Sequence, residues 1–64
     1  MAERNEVEAL RFVVVFLRYY SNKTQAEFGR ASQIDQSYIS RYELGKQTPT
    51  AETLRRMAAA AGVP

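Results

Sequence analysis

Residues 24–45 read TQAEFGRASQIDQSYISRYELG, and this stretch decides the fold. Thr24 and Glu27 fit a capping box, in which the Thr hydroxyl and the Glu carboxylate each bind a backbone amide at the start of a helix. Asp35 is suited to cap a second helix, and Gly45 allows a left-handed stop. The stretch therefore predicts two short helices joined by a tight turn.

The apolar residues of this stretch predict which sides of the two helices are buried. Phe28 and Ala31 are expected to face inward from the first helix, and Ile39 and Tyr42 from the second. Only a few residues, about 32–35, separate the two helices. Such a short connection forces a sharp crossing, which is the geometry of a helix-turn-helix.

Apolar side chains on both sides of the stretch predict two further helices. From Val7 they recur at i, i+3, i+7 and i+10, a helix face that Asn22 can end in the left-handed conformation. The run FVVVF at 12–16 could also form a strand, but the longer periodicity favours a helix. Thr50 is the expected cap of the last helix and Gly62 its end. The inward residues expected on that helix are Leu54, Met57, Ala58 and Ala61.

We therefore predict an all-α fold, a small bundle of four short helices with a fifth in a longer chain. A single domain is expected over residues 1–64, with helices at about 5–21, 25–31, 36–44 and 51–61. A core this small rarely supplies more than about 3–5 kcal/mol, so a partner chain would add stability.

The composition argues against several classes of function. The chain has no Cys and no His, which excludes disulfides, Cys/His zinc sites and His-based catalysis. Its glycines are too scattered for a phosphate-binding loop, so we predict no enzyme, no cofactor and no small-molecule ligand. No apolar run approaches the roughly 18 residues of a membrane span, and no secretory signal is visible. We therefore expect a cytoplasmic protein that does not bind membranes.

The net charge of +2 is modest, but its distribution is uneven. Residues 1–17 carry one more acidic than basic residue, whereas residues 18–64 carry three more basic than acidic residues. This surplus permits a polyanionic partner. An ordinary domain with mixed surface charge explains it equally well.

The ordered residues from about 10 to 63 resemble those of a known family. The positions that carry the resemblance are Thr24-Gln25, Glu27-Phe28, Ile34, SYISRYE at 37–43, Gly45-Lys46, Pro49 and Leu54. In this order and spacing they are similar to the Cro/C1-type (XRE-like) helix-turn-helix family of phage repressors and small bacterial regulators. The resemblance implies a lambda-repressor-like domain that regulates transcription, as a repressor or an activator, by occupying operator sequences in double-stranded DNA. It also implies a bacterial or phage-encoded, nucleoid-associated protein.

On this resemblance the helix that begins near residue 36 enters the major groove, and its outward side chains meet base edges. The expected base contacts are Gln36, Ser37, Ser40 and Arg41. A Gln amide can pair bidentately with adenine and an Arg guanidinium with guanine. The alternative is that these residues merely solvate an exposed helix.

Other residues are expected to contact phosphates or to hold the reading helix in place. The expected phosphate contacts are Gln25, Tyr38, Lys46, Gln47 and Thr48. The Tyr38 ring could instead pack inside. The resemblance pairs Arg18 with Glu43 in a salt bridge, which either joins the first and third helices or lies exposed and contributes about 0–1 kcal/mol.

Three residues, Gly29, Gln33 and Lys23, depart from the family pattern, and Lys23 stands where an apolar residue is usual. Gly29 lies in a helix interior where Ala is usual, and we expect that it leaves room for the neighbouring Phe28 ring. Gln33 stands where the turn usually has Gly. A non-Gly residue with positive φ is strained, so a differently built turn is expected there.

The first helix carries a second apolar stripe. Its main residues are Phe12, Phe16 and Tyr19, with Val13, Val15 and Tyr20 beside them. A contiguous exposed patch of this kind usually marks an interaction site. It could be a homodimer surface, a seat for a fifth helix, or core if the helix is rotated differently. An alternative function is therefore an antitoxin-like dimerisation or protein-interaction module.

Overall fold

The computed structural model describes residues 4–63, so residues 1–3 and Pro64 of the predicted domain lie outside the described residues. Over the described range the chain forms four α-helices and no strand. The helices are α1 (Arg4–Tyr20), α2 (Gln25–Ser32), α3 (Gln36–Glu43) and α4 (Ala51–Ala61). The predicted all-α class is thus confirmed, and the ambiguous run 12–16 is helical.

Side chains cap the starts of α2, α3 and α4. The Thr24 hydroxyl accepts from the Glu27 amide at 3.1 Å, and the Glu27 carboxylate accepts from the Thr24 amide at 2.8 Å. Asp35 accepts from the Ser37 amide at 2.9 Å, and the Thr50 hydroxyl caps α4 in a similar way. Each cap satisfies an amide that the helix itself leaves without a partner.

All four helices end in the same backbone motif. A residue just beyond each helix has a left-handed φ between 57° and 79°, and the next amide donates to the carbonyl five residues earlier. This pattern is the Schellman motif. The left-handed residues are Asn22, Gln33, Gly45 and Gly62. The expectation of a different turn at Gln33 is therefore wrong, because Gln adopts the left-handed conformation itself.

One side of each helix contributes to a single core. The buried apolar residues are Val14, Leu17, Phe28, Ile39, Tyr42, Met57 and Ala61. Ala31 is exposed, so its predicted inward position is wrong. Ser32 is buried instead, because its hydroxyl donates to the Phe28 carbonyl at 2.6 Å and needs no water.

The junction between α2 and α3 depends on a glycine. A Cβ atom at Gly29 would lie 2.6 Å from the carbonyl oxygen of Ile34 and 3.4 Å from the amide nitrogen of Gln36. The Ile34 amide also donates to the Gly29 carbonyl at 2.8 Å. Gly29 therefore lets the turn backbone approach α2, which is a different reason from the expected room for the Phe28 ring.

Replacing Gly29 with Ala should destabilise the protein, although Ala is the better helix former by about 1 kcal/mol. The added methyl group would clash with backbone that cannot move cheaply, at a cost of about 1–3 kcal/mol. Thermal unfolding followed by circular dichroism should show a lower Tm. Ala31→Gly on the exposed side of α2 is the control, since there Ala should be the preferred residue. A higher Tm for Gly29→Ala would contradict the role assigned to this contact.

Candidate nucleic-acid interface

The third helix has one buried and one exposed side. Ile39 is fully buried and Tyr42 is 6% exposed, and together they fasten α3 to the core. The four predicted base-contacting residues lie on the other side of the helix. Gln36, Ser37 and Arg41 are exposed and Ser40 is half-buried. The structure thus brings these four polar side chains together on one accessible surface.

The start of this surface is organised by the Asp35 cap. Both the hydroxyl and the amide of Ser37 donate to the Asp35 carboxylate. These two hydrogen bonds, with a smaller effect of the Arg41 charge, lower the pKa of Asp35 below its ordinary value. The carboxylate is therefore ionised at neutral pH, and the Ser37 hydroxyl hydrogen is already engaged.

Farther along the helix, Arg41 lies over an aromatic ring. Its guanidinium carbon is 5.1 Å from the centroid of the Tyr38 ring. The Tyr38 ring is itself 6.4 Å from the buried Tyr42 ring, at an interplanar angle of 31°. Tyr38 is 41% exposed, so it is neither wholly packed inside nor free in solvent.

The predicted phosphate-contacting residues lie in two places. Lys46, Gln47 and Thr48 are exposed in the segment after α3, just before the buried Pro49. Gln25 is the first residue of α2 and is half-buried, because its Nε2 donates to Oε1 of Glu43 at 3.2 Å. Both places border the C-terminal end of α3.

Arg18 and Glu43 form a bidentate ion pair between α1 and α3. Nε of Arg18 donates to Oε2 of Glu43 at 2.6 Å, and Nη2 donates to Oε1 at 3.0 Å. The two side chains are only 13% and 10% exposed, and Nη1 of Arg18 also donates to the Lys23 carbonyl at 3.1 Å. The hydrogen bonds to Glu43 raise the pKa of Arg18 above its ordinary value.

Two further contacts of the same glutamate were not predicted from the sequence. Nε of Arg11 donates to the backbone carbonyl oxygen of Glu43 at 2.6 Å, and Gln25 binds its carboxylate as described above. The heptad spacing of Arg11 and Arg18 places both on one side of α1, and this spacing could have indicated that they act together. The Tyr19 ring, although 68% exposed, covers the Arg18 guanidinium at 4.6 Å.

A family model described as helix-turn-helix matches residues 21–64. The chain belongs to this family, the Cro/C1-type helix-turn-helix family. Its members are DNA-binding transcription regulators, and the resemblance drawn from the sequence is confirmed. No curated protein and no solved structure matches the chain.

The helix-turn-helix unit itself consists of α2, α3 and the turn between them. All of α1 precedes the matched residues, yet it supplies Val14 and Leu17 to the core and Arg18 to the ion pair. Among residues 4–63, no helix is long and apolar enough to cross a membrane. The same residues, 4–63, contain no cluster of acidic side chains that could hold a metal ion.

Replacing Glu43 with Gln should destabilise this domain strongly, because it leaves the Arg18 charge largely buried without a counter-ion. We expect the free energy of unfolding to fall by about 3 kcal/mol. Urea unfolding measures it, with Glu52→Gln as the control, since Glu52 pairs with Arg55 on the exposed surface. Equal losses in the two variants would show that the Arg18–Glu43 pair has no special structural role.

Proposed function

We propose that this chain is a sequence-specific transcription regulator that inserts α3 into the major groove of operator DNA. The observation that carries the proposal is the exposed polar side of α3, whose opposite side is buried in the core. Membership in the helix-turn-helix family supports DNA as the ligand. The cellular setting that fits this role is a bacterial or phage-infected cytoplasm, on the nucleoid.

Gln36 and Arg41 are the proposed determinants of base preference. The Gln36 amide offers a donor and an acceptor for adenine, and the Arg41 guanidinium offers two parallel donors for guanine. Ser40, half-buried on the same helix, is the proposed contact to either a base or a phosphate. Because the Ser37 hydroxyl hydrogen is bound to Asp35, we expect Ser37 to accept hydrogen bonds from base amino groups.

The proposed phosphate contacts are sequence-independent and position the domain. Lys46, Gln47 and Thr48 offer a cation and several donors just beyond α3. Gln25 uses one amide N–H to bind Glu43, and its second N–H can donate to a phosphate at the start of α2. The Tyr38 hydroxyl is a further donor.

We also propose that two copies bind two half-sites and that the aromatic side of α1 joins them. Phe12, Phe16 and Tyr19 are 67%, 60% and 68% exposed, on the opposite side of α1 from the buried Val14 and Leu17. The Phe16 and Tyr20 rings stack on each other at 5.7 Å. Exposure of such rings favours burial against a partner. The same surface supports the second candidate function, a protein-interaction module for which DNA binding is secondary.

Direct reading of bases is tested by selecting bound duplexes from a randomised pool. Wild type should enrich one motif, and Arg41→Ala should lose the preference for a guanine, about 1–3 kcal/mol of discrimination. Lys46→Ala should instead weaken binding to all duplexes. It should also reduce the slope of log affinity against log salt concentration by about 1, the loss of one phosphate contact. Arg55→Ala on α4 is the control that should leave the base preference unchanged. If no motif is enriched, or Arg41→Ala keeps the same motif, direct reading by α3 is refuted.

Self-association through α1 is tested by sedimentation equilibrium. The wild-type chain should dimerise as its concentration rises, whereas Phe16→Asp should remain monomeric because a charge replaces a ring at the interface. Ala51→Asp, an exposed position at the start of α4, should not affect dimerisation. A wild-type chain that stays monomeric both free and on a duplex with two half-sites rules out the homodimer.

A further inference from the structure

We propose that Tyr38 is a positioning residue that sets the base preference through Arg41, an inference that rests on the proposed function. The guanidinium carbon of Arg41 lies 5.1 Å from the Tyr38 ring centroid, within the range of a cation–π contact. Arg41 forms no salt bridge within residues 4–63. The ring is therefore the main partner of this guanidinium in the free protein.

The Tyr38 ring can act as a support because its contact with the core limits the movement of the ring. Tyr42, 6% exposed, lies one helical turn beyond Tyr38, and their ring centroids are 6.4 Å apart. Tyr38 and Arg41 are close to one helical turn apart and share the accessible side of α3. A series of contacts thus leads from the buried Tyr42 ring, through the tilted ring of Tyr38, to the Arg41 guanidinium.

Stacking and base reading use different parts of the guanidinium group. The ring contacts the flat face of the cation, whereas the N–H donors point outward in its plane. Arg41 can therefore stay on Tyr38 while two of its N–H groups donate to N7 and O6 of a guanine. Because a long, exposed arginine would otherwise lose rotamer freedom on binding, holding it in advance favours the correct base.

A phosphate contact by the Tyr38 hydroxyl predicts a different pattern of effects from positioning by the ring. Tyr38→Phe removes the hydroxyl and keeps the aromatic face, whereas Tyr38→Leu removes both. Loss of a phosphate contact weakens binding to all duplexes alike. Loss of positioning reduces only the preference for guanine.

The experiment compares affinities for the selected duplex and for three duplexes in which one guanine pair is changed. The guanine chosen is the one whose preference disappears in Arg41→Ala. We expect Tyr38→Phe to keep the wild-type preference for guanine. In Tyr38→Leu the ratio of affinities for the selected and changed duplexes should fall about two- to fivefold, which corresponds to an exposed cation–π contact. Tyr38→Gln is the second aromatic-free variant, for use if Tyr38→Leu fails to fold.

Nuclear magnetic resonance of the free protein provides a second readout. The Arg41 δ-protons should be shifted upfield by the ring in the wild type and in Tyr38→Phe, and this shift should vanish in Tyr38→Leu. A general loss of stability would not abolish the shift selectively while the other side-chain resonances stay in place.

The possible outcomes separate this inference from the proposed function. If Arg41→Ala changes the preference at no position, direct reading fails and the inference fails with it. If Arg41→Ala relaxes a guanine position while Tyr38→Leu and Tyr38→Gln keep the full preference, only the positioning role is overturned. A uniform loss of affinity in Tyr38→Phe and Tyr38→Leu, with unchanged preference, would likewise overturn it.

Discussion

The orientation of the reading helix depends on one glutamate. The Glu43 carboxylate binds Arg18 of α1 and Gln25 of α2, while its backbone carbonyl binds Arg11. Three helices therefore meet at the last residue of α3. Because the ion pair is largely buried, its desolvation is offset only while both partners stay in place. The ion pair therefore favours one packing of α3 over others, and it adds little net stability beyond that.

The same junction connects the core with the surface of α3 that is proposed to contact DNA bases. Gln25, one proposed phosphate contact, is hydrogen-bonded to the carboxylate that anchors α3. A shift of α3 would therefore also move a group at the start of α2. A site that must match base edges needs its side chains on rigid, well-supported elements. Here the support comes from Ile39 and Tyr42 on the buried side of the helix and from Glu43 at its end.

The fold was predictable because its local determinants are strong and lie close together in sequence. Thr24, Asp35 and Thr50 cap helices since their side-chain oxygens reach amides two or three residues later. The buried faces followed from helical periodicity, with one error. Ala31 and Ser32 are neighbours in the sequence, and hydrophobicity predicted that the alanine would be the buried residue. The backbone geometry buried the serine, because its hydroxyl could bind a carbonyl of its own helix.

The sequence by itself determined the four helices, their caps, the stops at Asn22, Gly45 and Gly62, and the polar side chains that α3 turns outward. These features depend on residues within one or two helical turns. The left-handed stop at Gln33 was not predicted. The Arg18–Glu43 pair was indicated only by resemblance to a family. The tertiary structure alone decided that Arg11 and Gln25 join the pair and that Tyr38 lies beneath Arg41. It also decided that the backbone of the turn packs closely against Gly29, where a Cβ atom would clash. Such contacts depend on how helices cross and which rotamers packing allows, and no local sequence pattern specifies either.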